Sequence, residues 1–263
     1  MKRLAGFLGF VVLLVLPLMD AAASEPAAPG GDEVAPQASP SPQARTAKPK
    51  SRSADVFAEI ADDPALPRVL LIGDSISMGY TVPVRRMLAG KANVHRIPIN
   101  GGDTARGLAQ IDKWLGDKPW DVIHFNFGLH DLKRLKDGKY DVRGDQVRSP
   151  EEYARNLDMF VVRLKKTGAA LIWATTTPVP AGARGRVKGD EILFNEAAVA
   201  VMKRHGVAID DLYGAVLPEL STAQRRRDVH FTRKGSELLA QKVADAISAA
   251  LRDRKKARAV SEF

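Results

Sequence analysis

Val69-Leu70-Leu71-Ile72-Gly73-Asp74-Ser75-Ile76-Ser77 is the stretch on which the reading of this chain turns. Four consecutive apolar residues, two of them β-branched, predict a short buried strand. Gly73 ends it where a tight turn is needed, and Asp74 and Ser75 lead into a helix. A serine at that point lies at the carboxyl end of a strand, the edge where open α/β sheets bind ligands. The first N–H groups of a helix have no intrahelical partner and stabilise negative charge. A serine attacking a carbonyl creates such a charge, so the position suits a nucleophile. Read alone, Gly-Asp-Ser would serve equally well as a plain helix cap.

Outward from this stretch the chain alternates between strand and helix. Residues 84–88 predict a helix closed by Gly90, and residues 93–99 a second strand running into Asn100-Gly101-Gly102-Asp103-Thr104. Leu108, Ile111, Trp114 and Leu115 then fall on one helical face. Residues 121–127 form a third strand, ending in Gly128-Leu129-His130-Asp131, and residues 132–148 read as a long charged loop. Ser149-Pro150-Glu151-Glu152 is a capping box with proline in the first turn. The helix it opens carries a stripe of Tyr153, Leu157, Phe160, Val161 and Leu164 and stops at Gly168. Residues 169–174 are a fourth strand, followed by Thr175-Thr176-Thr177-Pro178 and a Gly/Arg-rich loop to Gly189. A helix over 191–205, a fifth strand over 207–210 and a last helix from about Thr232 to Leu251 complete the pattern. The expected fold class is α/β: a three-layer α/β/α unit with a five-stranded, mostly parallel sheet.

In a parallel sheet all strand carboxyl ends share one rim. Ser75 after strand one, Gly102 after strand two and His130 after strand three can therefore meet Asp228 and His230, which precede the last helix. Asp228 and His230 are two apart, so in an extended loop they face the same side and the carboxylate can orient the imidazole. Each residue also has a structural reading: turn residue, packed ring or helix cap.

Taken together, the motifs resemble the SGNH hydrolase (GDSL lipase/esterase) superfamily over essentially all of the folded part. Gly73-Asp74-Ser75-Ile76-Ser77 resembles its first block, Asn100-Gly101-Gly102-Asp103-Thr104 its second and Asp228-Val229-His230-Phe231-Thr232 its fifth. The resemblance implies a flavodoxin-like fold and a triad of Ser75, His230 and Asp228. It also implies an oxyanion hole from the N–H groups of Ser75 and Gly102 with a third-block side chain. Two departures stand out. The third block usually reads Gly-x-Asn-Asp, and here His130 occupies the asparagine position, with Asn126 a second candidate donor. The fifth block has one residue rather than two between Asp and His, a spacing the family also uses.

The implied activity is ester hydrolysis through an acyl-enzyme, with no cofactor and no metal. Lys133, Arg134, Lys136, Lys139, Arg143 and Arg148 crowd the loop after the third block. That favours a short acyl group, such as acetate on a carbohydrate, over a long-chain lipid. The competing readings are a glycan- or envelope-binding module that is weakly active or inactive on the same fold, and an O-acyltransferase using a sugar hydroxyl in place of water.

Composition sets the context. Met1-Lys2-Arg3, the apolar run from Ala5 to Met19 and Ala21-Ala22-Ala23 match a signal peptide over residues 1–23. An exported protein, periplasmic or secreted, is expected, with an uncleaved anchor as the alternative. Residues 24–61 are rich in Ala, Pro and Ser and read as a disordered linker, 62–251 as the hydrolase-like domain and 252–263 as a basic tail. The chain has no cysteine, which excludes disulfides and thiol catalysis. Its net charge of +9 is dispersed and only 6% of residues are aromatic, so a solvated basic face is expected and nucleic acid is not an expected partner. The expected partner is a small-molecule or carbohydrate ester.

Overall fold

The computed structural model describes residues 56–261. The signal-peptide pattern and the linker up to residue 55 lie outside them. β1 (Arg68–Ile72) leads into α1 (Ser75–Met87), β2 (Asn93–Arg96), α2 (Thr104–Leu115) and β3 (Val122–Phe125). A small antiparallel sheet of β4 (Arg134–Lys136), β5 (Lys139–Tyr140) and β6 (Asp145–Gln146) comes next. The chain continues through α3 (Pro150–Lys165), β7 (Ala170–Ala174), α4 (Asp190–His205) and β8 (Ala208–Asp210). Two short helices, α5 (Leu212–Val216) and α6 (Leu220–Ala223), precede the long α7 (Arg233–Ser261).

The main sheet is parallel throughout, in the order β2-β1-β3-β7-β8. Its inner strands β1, β3 and β7 are mostly apolar runs because both faces are covered. α1 packs with α7 on one face, while α2, α3 and α4 pack in series on the other. The order reverses between β1 and β3: the chain leaves β1 toward β2, then crosses back over β1 to reach β3. Right-handed crossovers in opposite directions put α1 and α2 on opposite faces and open a crevice at the β1/β3 carboxyl ends. Ser75 and His130 follow those two strands. The expected three-layer α/β/α, flavodoxin-like architecture is the one observed.

Local sequence explains the element ends. Ser149 and Glu152 form the capping box reciprocally, with Pro150 inside the first turn. Tyr153, Leu157, Phe160, Val161 and Leu164 are all buried. At the end of β1, a Cβ on Gly73 would meet Ser77 Oγ at 2.9 Å and the Asn126 carbonyl at 3.4 Å, so the turn closes only around glycine.

Three expectations require correction. Residues 132–148 are not an irregular loop: β4 pairs with both β5 and β6 there. The last helix does not stop near Leu251, and the basic segment from Arg252 continues it to Ser261. Arg254 fixes that extension by donating to the Gly168 carbonyl at 2.6 Å and pairing with Asp121 at 3.4 Å. The packed domain also begins before residue 62: Val56 is buried, and Arg85 donates to the carbonyls of Val56 and Ala58. Among the described residues, no helix is long and apolar enough to cross a membrane.

Candidate active site

Asp74 caps α1: its Oδ1 accepts the Ile76 N–H at 2.9 Å, which leaves Ser75 as the first helical residue. Beneath this turn lies Arg96, at the end of β2. Its Nη2 donates to the Gly73 carbonyl at 3.0 Å, the Asp74 carbonyl at 3.1 Å and Ser77 Oγ at 2.8 Å. Its Nη1 holds the carbonyls of Ile97 and Ile99 on the way to the second motif. One buried guanidinium thus joins the turn carrying Ser75 to the loop carrying Gly102. Burial lowers its pKa to about 10, against the opposing field of Asp74, so it stays charged at neutral pH.

The segment before α7 supplies the partners. His230 Nε2 lies 2.8 Å from Ser75 Oγ, and His230 Nδ1 lies 2.7 Å from Asp228 Oδ1. Asp228 Oδ1 also accepts the His230 backbone N–H at 3.2 Å, so the carboxylate fixes both ring and backbone. Burial works against ionisation of Asp228. The two hydrogen bonds from His230, with the His230 and Arg225 charges, outweigh it and hold the carboxyl below its ordinary range. The structure therefore brings the three residues expected to form a triad into one hydrogen-bonded chain.

The residues expected around an oxyanion divide three ways. Ser75 N–H, at the helix start, has no hydrogen-bond partner among the described residues. Gly102 N–H donates to Asn100 Oδ1 at 2.9 Å and must leave it to reach an oxyanion. His130 is partly exposed on the third-motif loop. Burial lowers its pKa first, and the Lys133 and Arg186 charges add to this against the opposing fields of Asp74 and Asp103. A neutral imidazole keeps one N–H to donate. Asn126 is not available: its Nδ2 donates to the Ala174 and Thr175 carbonyls at 2.9 and 3.2 Å, stitching β3 to β7.

Arg96 and two further supporting residues were not singled out from the sequence. Asp131, fully buried, takes hydrogen bonds from the Thr104 N–H at 3.0 Å and the Thr104 hydroxyl at 2.5 Å. It thereby ties the third motif to the helix that follows the second. Arg186, from the loop after β7, donates from Nε to the Leu129 carbonyl at 2.8 Å, beside His130. Arginines inside a strand and a Gly/Arg-rich loop read from sequence as solvated charge. Only the acidic residue closing the third motif carried a local signal.

Beside Ser75 a cleft of roughly 780 Å³ runs between α1 and the start of α7. Ile76, Met78, Val82, Pro83 and Phe231 give it an apolar floor, and Arg86, Arg225, Arg233, Ser236 and Glu237 a polar border. Arg86 and Glu237 form an ion pair there. Ser75 and His230 line this cleft, which is open to solvent.

Comparison with known proteins agrees with this geometry. Residues 71–238 match the model of the GDSL-like Lipase/Acylhydrolase family. No curated protein matches the sequence. Among solved structures, a lipase/acylhydrolase from Enterococcus faecalis is similar with a TM-score of 0.59 at 22% identity, over 70% of this chain and 96% of that one. The acetyl xylan esterase AlAXEase is similar with a TM-score of 0.57 at 15% identity, over 68% and 99%. The acetylxylan esterase Axe2 from Geobacillus stearothermophilus is similar with a TM-score of 0.56 at 17% identity, over 67% and 92%. At these identities the likeness is one of fold, whereas the family match spans the first, second, third and fifth motifs. The chain belongs to the GDSL-like lipase/acylhydrolase family and is an ester hydrolase of the SGNH type.

Proposed function

We propose that the protein is an exported serine esterase that removes short acyl groups, acetyl above all, from a carbohydrate through an acyl-enzyme. The observation that carries the reading is the continuous relay from Ser75 Oγ through His230 to Asp228 beside the cleft. His230 Nε2 takes the Ser75 proton as Oγ attacks the ester carbonyl. Asp228 holds the imidazole in the tautomer that presents Nε2 as acceptor and stabilises the imidazolium. The oxyanion receives the Ser75 N–H and the His130 side chain, joined by Gly102 N–H once Asn100 releases it. His230 then gives its proton to the leaving alcohol, and water, activated by the same ring, frees the acid. This chemistry asks for no metal and no cofactor.

The substrate class is inferred from the walls. A long acyl chain needs an enclosed apolar channel, and this cleft is open and bordered by charge. A polyhydroxylated alcohol suits such a border. Two of the similar folds belong to acetyl xylan esterases, which agrees with acetate on a sugar. Export, to the periplasm or outside the cell, rests on the amino-terminal pattern of residues 1–23. The test is hydrolysis of p-nitrophenyl esters of increasing chain length beside acetate release from acetylated xylo-oligosaccharide. The reading expects kcat/KM highest for acetate and Ser75-dependent acetate release. A preference for octanoate or longer chains would contradict it.

A further inference from the structure

Around the third-motif loop and the loop after β7, four cations gather without an acidic partner among the described residues. The small sheet is clamped to the loop after β7: Arg134 N–H donates to the Gly185 carbonyl at 2.7 Å, and Arg134 and Gln146 both bond Asp190. Tyr140 packs on the backbone of Gly185, with Arg184 4.9 Å and Lys133 6.0 Å from its ring centre. Arg227 lies along the same loop at Gly182 and holds a left-handed backbone, φ 55°, immediately before Asp228.

Arg186 is the innermost of the group. It is half-buried, and its guanidinium bonds only backbone oxygens, Leu129 through Nε and Arg184 through Nη1. Nη2 has no partner among the described residues. The fields of Asp74 and Asp228, either side of the nucleophile, both reach it. None of Lys133, Arg184, Arg186 and Arg227 is within ion-pair distance of a carboxylate among the described residues, although Arg134, Arg143 and Arg225 nearby all are. A half-buried guanidinium is costly without a counter-charge and is well shaped for a carboxylate or phosphate.

We infer that the substrate carries an anionic group, a carboxylate or a phosphate, which docks on Arg186 beside the third motif with Lys133, Arg184 and Arg227 around it. This deepens the esterase reading and rests on it: the ester would be one of an acidic, not a neutral, compound. The anion would pin the substrate at the third motif while the cleft that Ser75 lines takes its remainder.

The test uses three acetate esters with one skeleton on the full chain: 4-acetoxybenzoate, 4-acetoxyphenyl phosphate and methyl 4-acetoxybenzoate, each normalised to its rate with hydroxide. The inference expects one or both anionic esters to exceed the neutral one about tenfold in kcat/KM at low salt, with the advantage shrinking as salt rises. Which anion leads separates carboxylate from phosphate. Arg186→Gln should bring the ratio close to one, Arg186→Lys should restore part of it, and Arg143→Gln, already paired with Asp141, should leave it unchanged. Equal rates for all three esters in the wild-type protein would overturn the inference and leave the esterase standing. If no ester turned over, calorimetry of the same esters on Ser75→Ala would decide: anion-selective binding lost in Ser75→Ala/Arg186→Gln supports the site, and unselective or absent binding overturns it.

Discussion

Asp131 accepts both the backbone N–H and the hydroxyl of Thr104, and so locks the loop that carries His130 to the helix that follows Gly102. Its other oxygen, Oδ2, is buried without a partner among the described residues. Burial raises the carboxyl to about 7, against the lowering effect of the Thr104 hydrogen bonds. In the unfolded chain the same group ionises near 4. Between these values the folded state holds a proton that the unfolded state has released. The contribution is therefore full below about pH 4 and is lost as pH rises through about 7, a span on the order of 4 kcal/mol. Thermal melts should show Asp131→Asn flattening the decline in stability across that window. An unchanged slope would show that Asp131 does not titrate there.

The buried guanidinium of Arg96 has five hydrogen bonds to the two motif loops. Arg96→Met would strip the Ile97 and Ile99 carbonyls of their side-chain donor and remove one of several donors at the Gly73 and Asp74 carbonyls, and should cost about 2 kcal/mol or more, read as a lower denaturant midpoint. Because the Ser75 turn loses its support, kcat should fall further than KM rises. A variant with wild-type midpoint and kcat would show that the turn holds itself.

Gly128 opens the third motif at φ 135°, and a Cβ there would collide with Thr176 Oγ1, which is engaged with the Phe127 carbonyl. Gly128→Ala should destabilise the fold by about 2 kcal/mol or more and displace His130. Equilibrium unfolding measures the first effect, and loss of ester turnover under conditions where the variant is still folded measures the second.

His130 stands where the family's third block has asparagine. His130→Ala should lower kcat on p-nitrophenyl acetate about 100-fold, and His130→Asn should recover much of it. Below its lowered pKa the His130 ring carries both N–H groups and a positive charge, so the His130-dependent factor should persist or grow as pH falls. Full activity in His130→Ala would assign the oxyanion to backbone groups alone.

What was legible in the sequence follows from the physics of each element. Strands β1, β3 and β7 are buried on both faces, so their apolar runs announce them. The Ser149–Glu152 box and the stripe from Tyr153 to Leu164 fix α3 by local chemistry alone. The hydrogen-bonded chain of Ser75, His230 and Asp228 was readable because Ser75 follows a strand and the Asp228–His230 segment leads into the last helix, where backbone direction decides position. The sheet of β4 to β6 was not. Its strands are two or three residues long, and its pairs, such as Leu135 with Tyr140 and Asp145, alternate nothing that a period could detect. The extension of α7 past Leu251 was missed because its basic residues read as tail, while Arg254 docks on the Gly168 carbonyl across the fold. Arg96 and Arg186 act through distant backbone oxygens, which no local spacing encodes. Nor does sequence separate His124 from His130. The first is buried 3.0 Å from Asp210 inside the core, and the second is on the rim.

The most direct test of the account concerns the 2.8 Å contact between His230 and Ser75. The full chain should be treated with a fluorophosphonate probe and assayed on p-nitrophenyl acetate beside Ser75→Ala, His230→Ala and Asp228→Asn. The account predicts stoichiometric labelling at Ser75 with loss of turnover. Ser75→Ala should not be labelled, and His230→Ala and Asp228→Asn should each turn over about 1,000-fold more slowly or worse. Ester turnover that persists in Ser75→Ala, or labelling at another residue, would contradict it.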